Sequence, residues 1–382
     1  MKKKILIVAF STVRYEPRVR RQIDALAANY DITLCCNDNQ GYENLSWIKV
    51  EKLNSTFLRN LTFIWHIFNQ NYEYAYNSII KPEEIKNLLG KIEKNFDLIL
   101  THDYYTLPFS VHLAEKIGAK LLYDAHEYAP RQYENELNFV LFKKSFVTYI
   151  CQKYIPKVDA MITVGEAISR QYTEDTQVKS SIVTNAPAYQ FLEARFLSKN
   201  DKIKLVHHGL AYKTRGLDNL ITMLEVLESR FELHLYLVGD SAYIKRLKSV
   251  SMRDKRLFIH DPVQVEKISE ELNKYDIGVI AWKPVTFNLK NAYPNKFFEF
   301  IQARLAIALL GPYPDMAASV SRFGNGVYCS DRYSPVELAR KLNSLTPEQI
   351  NLFKVASNIA AKELNSGENA KILREVVENL VS

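Results

Sequence analysis

The sequence predicts an α/β protein built from two doubly wound domains. Three observations point there. Short apolar runs rich in Ile, Leu and Val recur along the chain, each ending in polar residues and followed by apolar positions at helical spacing. The series breaks near residues 188–200 and then starts afresh. At 382 residues the chain also exceeds what one hydrophobic core usually supports.

The first run, Ile5 to Phe10, reads as a buried strand. It follows Lys2, Lys3 and Lys4 but is too short for a signal-peptide core or a membrane span. A polar loop, Ser11 to Pro17, leads to a helix through Val19, Ile23, Leu26 and Ala27, then to a strand from Ile32 to Cys36. The loop lacks the GxGxxG of a dinucleotide fingerprint. Arg14, Arg18, Arg20 and Arg21 crowd this turn as a solvated face or as contacts for a phosphate. Leu53 to Ile80 carries Phe57, Phe63, Trp65, Phe68, Tyr72, Tyr74 and Tyr76 at helical spacing, and Phe139 to Tyr154 mixes aromatic and basic residues in one helix. Core packing explains such stripes, and so does an acceptor-facing or lipid-facing surface.

Three further strands end in polar residues: Asp97 to Thr101 before His102 and Asp103, Lys120 to Tyr123 before Asp124, Ala125, His126 and Glu127, and Ala160 to Val164 before Gly165 and Glu166. Ligands of parallel sheets gather at the carboxyl ends of strands, which puts His102 and His126 in a position to serve a site. The second series opens with Lys204 to His208. Its turn, Gly209 to Gly216, holds Lys213 and Arg215 and empties into a helix from Leu217, a phosphate-binding arrangement. Leu233 to Val238 with Gly239 and Asp240, Leu257 to His260, Ile277 to Ala281 and Ala306 to Leu310 continue the alternation. Helices over Ser334 to Ser344, Pro347 to Leu364 and Ala370 to Leu380 end it. The expected division is an N-terminal domain over 1–187, a linker over 188–200 and a C-terminal domain over 201–365, with a last helix over 366–382 packing back towards the first domain.

The chemistry centres on Tyr293 to Phe300. Pro294 and Asn295 open a helix whose apolar face is Phe297, Phe298 and Ile301. Lys296 and Glu299 occupy its first turn, where free N–H groups and the positive dipole end favour a diphosphate. Glu299 is spaced to accept hydrogen bonds from the paired hydroxyls of a ribose.

Composition narrows the field. The 47% hydrophobic and 24% charged content is that of a soluble globular protein. Cys35, Cys36, Cys151 and Cys329 form no CxxC pair and no metal spacing with histidine, so neither a disulfide framework nor a zinc site is expected, and a reducing cytoplasm is. A net charge of +7 favours an anionic partner. Nucleic acid is the weakest choice, since no zinc-finger or RNP-type motif accompanies the charge.

Several segments in order resemble the retaining glycosyltransferases of family 4, bacterial cell-surface polysaccharide type. They are Glu16 to Arg21, Thr101 to Asp103, Tyr123 to Glu127, Ile162 to Ile168, Thr184 to Pro187, Leu237 to Asp240 and Pro294 to Phe300. The resemblance implies the GT-B fold, two Rossmann-like domains facing a central cleft. It implies a nucleotide-sugar donor, a UDP-sugar before a GDP-sugar, held by Gly209, Lys213, Arg215, Asp240, Asn295, Lys296 and Glu299. The acceptor, a glycan or lipid-linked glycan, would meet Arg18, His102, Asp103 and Glu127. His126, Arg215 and Lys296 would be catalytic, and no metal or other cofactor is expected. Leu210 stands where many members have arginine, so one phosphate contact is missing or comes from Lys213 or Lys296; Asn291 stands where many have glutamate, which leaves open the contacts to sugar hydroxyls or leaving group there and, with them, the donor's identity.

The expected reaction is front-face transfer, with fixed cations meeting the charge on the leaving diphosphate. No carboxylate pair stands out as the acid and nucleophile of a glycosidase. One rival is a non-hydrolysing sugar-nucleotide 2-epimerase, which needs acid and base groups round the sugar rather than a basic, aromatic acceptor face. The other is a catalytically silent sugar-nucleotide-binding partner, which Leu210 and Asn291 keep open. The basic N-terminal half and its aromatic segments place the protein at the inner face of the plasma membrane, as a peripheral enzyme of capsule or lipopolysaccharide synthesis.

Overall fold

A computed structural model describes residues 2–51, 57–80, 82–92, 95–212 and 215–382. Lys213 lies outside the described residues, as do residues 52–56 at the head of the aromatic segment and the Phe57 side chain. The chain forms two compact units. Unit 1 is Met1–Thr184 with Thr286–Asn288 and Ala370–Ser382, and unit 2 is Asn185–Val285 with Leu289–Asn369.

Unit 1 is organised on a parallel sheet of β1 (Lys4–Thr12), β2 (Asp31–Asp38), β3 (Ser46–Lys49), β4 (Leu98–His102), β5 (Lys120–Ala125), β6 (Ala160–Thr163) and β7 (Ser180–Ile182). The order is β3-β2-β1-β4-β5-β6-β7. Between strands run α1 (Pro17–Leu26), α2 (Phe57–Phe68), α3 (Tyr72–Ile79), α4 (Pro82–Lys91), α5 (Leu107–Ile117), α6 (Leu137–Phe142), α7 (Lys144–Tyr154) and α8 (Glu166–Thr176). Central strands are apolar throughout because both faces are covered. In β1, Ile5 and Ile7 face α1 through Val19 and Ile23, while Leu6 and Val8 join the opposite core with Phe146 and Ile150 of α7. The edge strands β3 and β7 are short and mostly half-buried or exposed, so no apolar run announces them.

The aromatic segments split between core and surface. Phe63 and Tyr76 are buried, whereas Trp65, Phe68 and Tyr74 are exposed. The single helix expected over Phe139 to Tyr154 is two, because Lys143 leaves helical geometry at φ −125° and caps both α6 and α7. Asn288 belongs with unit 1 through a reciprocal pair of hydrogen bonds with the Tyr128 backbone, at 2.9 and 3.0 Å.

Unit 2 carries β8 (Ile203–Ala211), β9 (Phe231–Gly239), β10 (Leu257–His260), β11 (Ile277–Ile280), β12 (Ala306–Leu309) and β13 (Gly326–Tyr328) in the order β10-β9-β8-β11-β12-β13, again all parallel. Its helices are α9 (Leu217–Val226), α10 (Ser241–Ser251), α11 (Ile268–Leu272), α13 (Asn295–Gln302), α14 (Pro314–Phe323), α15 (Pro335–Asn343) and α16 (Pro347–Glu363), while the short α12 (Phe287–Lys290) begins in unit 1 and ends in unit 2. The final helix, α17 (Ser366–Val381), starts earlier than its apolar pattern suggests. Asn365 Oδ1 accepts from the N–H groups of Gly367 and Glu368 and caps it. Beyond Ala370 it buries Leu373 and Val377 against the α1 side of unit 1.

Both sheets reverse their order once, between β1 and β4 and between β8 and β11. Doubly wound sheets bind ligands outside the carboxyl ends of strands at such points. Cys35, Cys36, Cys151 and Cys329 are buried and unpaired. Among the described residues no helix is long and apolar enough to cross a membrane.

Candidate functional site

In unit 2 the site is built by α13. Gly278 in β11 makes room for it: a Cβ there would lie 2.3 Å from the Phe300 ring, so only glycine lets this helix settle on the sheet. Pro294 precedes α13 without a side-chain cap; the Phe297 N–H donates to the Pro294 carbonyl at 3.1 Å, which leaves the Asn295 and Lys296 N–H groups at the head of the turn for other acceptors. Asn295, half-buried, is the first residue of that turn.

Lys296 reaches back from the turn to the end of β8. Its Nζ donates to the His208 carbonyl at 2.7 Å and lies 3.4 Å from His207 Nε2. His207 Nδ1 is 2.8 Å from the Val279 carbonyl, so the ring donates there and presents Nε2 as an acceptor to the lysine. Burial, and then the nearby Lys296 charge, hold His207 well below the usual imidazole range. A Cβ on Gly209 would stand 3.1 Å from Lys296 Nζ, and Gly209 has φ +125°, a conformation side chains avoid. The lysine is thus pressed against bare backbone. Burial, together with the neighbouring Arg215 guanidinium, brings Lys296 down to about 8, with Glu299 opposing.

Glu299, one turn on, is 7% exposed. His208 Nε2 lies 3.1 Å from its Oε2, close enough for an ion pair though outside hydrogen-bond alignment. Burial keeps His208 below its ordinary value despite the carboxylate. Arg215 is exposed just before Gly216 and α9, its N–H bonded to the Tyr212 carbonyl at 2.9 Å. Asp240 has a different occupation: it caps α10, accepting from the N–H groups of Ala242 and Tyr243 at 2.9 and 3.1 Å. Leu210 is exposed beside Gly209, and Asn291 is buried.

In unit 1 the second cluster forms where β4 and β5 end. His102 and Asp124 are register partners across these strands, so their side chains meet. Asp124 is fully buried and receives Arg18 through Nε at 2.7 Å and Nη2 at 2.6 Å, and Gln22 Nε2 at 2.6 Å. Burial would raise this carboxyl, but Arg18, His126 and His102 hold it well below the usual carboxylate range. Arg18 Nη1 also donates to the Val183 carbonyl at 2.5 Å. The arginine read as a phosphate contact is therefore buried and engaged within the cluster.

His102 Nδ1 lies 3.2 Å from His126 Nε2 and 3.3 Å from Asp124 Oδ2. His126 in turn places Nδ1 3.6 Å from Asp103 Oδ1. Asp103 adopts φ +63°, an uncommon backbone state for a non-glycine residue that turns the chain directly after β4. Burial disfavours the charged imidazole, yet Asp103 and Asp124 outweigh it and lift His126 to about 9. Burial wins at His102, which is lowered. Glu127, a hydrogen-bond acceptor for the Gln132 side chain, is pushed up to about 7 by burial.

His102, Asp124 and His126 offer one ligand atom each within 4.8 Å of one another, the spacing of a three-ligand cation site. Arg18 already grips both oxygens of Asp124, and its charge opposes a second cation there. Gln22, Asp124, His207 and His208 were not singled out from sequence. Arg18 and Gln22 at i, i+4 on one helix face were the available signal.

No family model and no curated protein matches the chain. Several solved structures share its architecture. Anabaena Alr3699/HepE in complex with UDP-glucose aligns at TM-score 0.67 and 12% identity, over 98% of this chain and 99% of that one. Sucrose-phosphate synthase from Thermosynechococcus elongatus aligns at TM-score 0.71 and 12% identity, over 99% of each chain. The E. coli trehalose-6-phosphate structure bound with UDP-2-fluoro glucose aligns at TM-score 0.67 and 11% identity, over 100% of this chain and 99% of that one. At these identities the likeness is one of fold: the chain has the GT-B architecture of two Rossmann-like units.

Proposed function

We propose that the protein is a retaining glycosyltransferase. It moves a sugar from a nucleotide-diphosphate donor, a UDP-sugar in preference to a GDP-sugar, to a glycan or lipid-linked glycan acceptor. Its setting is surface polysaccharide synthesis at the inner face of the membrane. One observation carries this reading: Lys296 is held against the bare backbone of Gly209, beside the uncapped first turn of α13 and within reach of the Arg215 charge. That is a cradle for two phosphates. The UDP-based ligands named for the structures of similar fold favour uridine as the base.

In this proposal unit 2 holds the donor. Lys296, Arg215 and the α13 N–H groups face the diphosphate, and Glu299, backed by His208, accepts from the ribose hydroxyls. The bond from the anomeric carbon to the phosphate oxygen breaks while the acceptor oxygen attaches on the same face. The leaving oxygen takes the acceptor proton. Lys296 and Arg215 lower the barrier because they are already oriented where negative charge grows. His126, kept cationic by Asp103 and Asp124, donates to a sugar oxygen. Arg18, Gln22 and His102 position it through Asp124, and Asp103 and Glu127 line the acceptor side.

A thermal-shift panel of UDP, GDP, CMP and ADP with their sugar derivatives, on wild type and Glu299→Ala, tests the reading. Uridine ligands are expected to stabilise wild type and lose most of that effect in the variant. Equal responses, or none in wild type, would remove the donor site from unit 2. Proton NMR of the product then reports whether the anomeric configuration is kept.

A further inference from the structure

The exposed apolar surface of unit 1 is concentrated where α2 and α6 meet. On α2, Leu61, Trp65 and Phe68 fall at i, i+4 and i+7, and Trp65 and Phe68 are 59% and 71% exposed. On α6, Leu137 is 70% exposed, with Val140 and Leu141 exposed beside it. The two helices touch through Phe68 and Phe142, whose rings are 6.0 Å apart, so these residues form one patch. A monomeric soluble protein seldom leaves so many large apolar side chains together in water.

Two more features say what covers it. A groove of about 620 Å³ opens beside the patch, with Phe63, Ile64, Ile79 and Phe142 on its walls alongside polar Asn60, Ser78 and Asn138 and the cations Arg59 and Lys143. Neither α2 nor α6 contains an acidic residue, while Lys143 and the adjoining Lys144 are exposed at the end of α6. Glu73, the nearest acid on α3, is held by Lys153, Tyr149 and Tyr154. Exposed Trp and Phe bordered by the exposed Lys143 and Lys144 match the layered chemistry of a bilayer surface, apolar below and anionic at the headgroups, although Glu136 is exposed just before α6 and Glu134 lies near Lys144. A second copy is a poorer fit, because an isologous contact would bring the same lysines into one interface.

We propose that the α2 and α6 face of unit 1 docks on an anionic lipid bilayer, with Trp65, Phe68 and Leu141 entering the headgroup boundary and Lys143 and Lys144 meeting the phosphates. The inference rests on the peripheral placement in the reading above and not on its donor chemistry.

Co-sedimentation with phosphatidylglycerol–phosphatidylcholine vesicles at low salt tests it, with phosphatidylcholine vesicles alone for comparison. Wild type is expected in the anionic pellet only, released by added salt. Trp65→Ser with Phe68→Ser, and separately Lys143→Glu with Lys144→Glu, should each lower partitioning at least about tenfold. Lys245→Glu with Lys248→Glu on α10 makes the same charge change elsewhere and should bind as wild type. Trp65→Phe should keep binding but lose the blue shift of tryptophan emission on vesicles. Absence of wild-type binding, or equal binding by patch and control variants, overturns the proposal. So does light scattering that finds a dimer in wild type and monomers in the patch variants. UDP-induced thermal shift, measured on the same variants, should be unchanged; its failure in wild type would strike the donor reading and leave the docking surface standing.

Discussion

Arg18 and Asp124 form a buried two-pronged ion pair, 2.7 and 2.6 Å, between the first turn of α1 and the end of β5. The pair fixes the carboxylate that His102 and His126 share. Breaking a buried pair by removing one partner leaves an uncompensated charge, at a cost of about 3–5 kcal/mol. Arg18→Met is therefore expected to lower unfolding stability by that amount in urea melts. An unchanged melt would show that Arg18 serves a ligand and not the fold.

His126 gives the unit a pH signature. Its folded value, about 9, lies above that of an unfolded histidine near 6.5. The stabilisation it contributes is thus fully present below about 6.5 and lost as pH rises to about 9. Imidazole proton NMR should find one histidine titrating far above the others. Asp103→Asn should move that titration down and narrow the window.

Lys296 predicts a second pH dependence with the opposite origin. Burial and Arg215 depress it to about 8, so a diphosphate is met by a full charge only below that value. UDP affinity should decline as pH rises through about 8 and beyond, the bound anion itself displacing the decline upward. Calorimetric titration across this range checks it, and Lys296→Arg should flatten the curve.

Gly209→Ala tests the bare backbone. The new Cβ would lie 3.1 Å from Lys296 Nζ at φ +125°. Strain of about 1–3 kcal/mol is expected in thermal melts, with displacement of Lys296 and a loss of UDP-induced stabilisation. A variant that melts and binds as wild type would place the phosphates elsewhere.

Leu210→Arg should act in the other direction. Leu210 is exposed next to Gly209, near the end of β8. A charge-assisted phosphate contact is worth about 1.5–3 kcal/mol, so UDP should bind roughly tenfold more tightly or better with little change in stability.

The sequence by itself determined the two series of strands, since strands covered on both faces must be apolar throughout, and it marked Lys296 on the opening turn of α13, since a lysine on a helix's first turn is a local feature. It also marked His102, the last residue of β4, and His126, which follows β5. Edge strands β3 and β7 escaped because an edge needs no apolar run, and the break at Lys143 escaped because the apolar spacing continues through it. Only tertiary structure decided what the polar residues do. Arg18 sits among arginines of equal promise, and its guanidinium is committed because Asp124, 106 residues away, is buried opposite it. Asp240, expected at the donor, also caps α10, while His207 and His208 lie against Lys296 and Glu299. A side chain's chemistry is written in its residue type, but its charge and role follow from burial and from neighbours that register and packing bring across long stretches of chain.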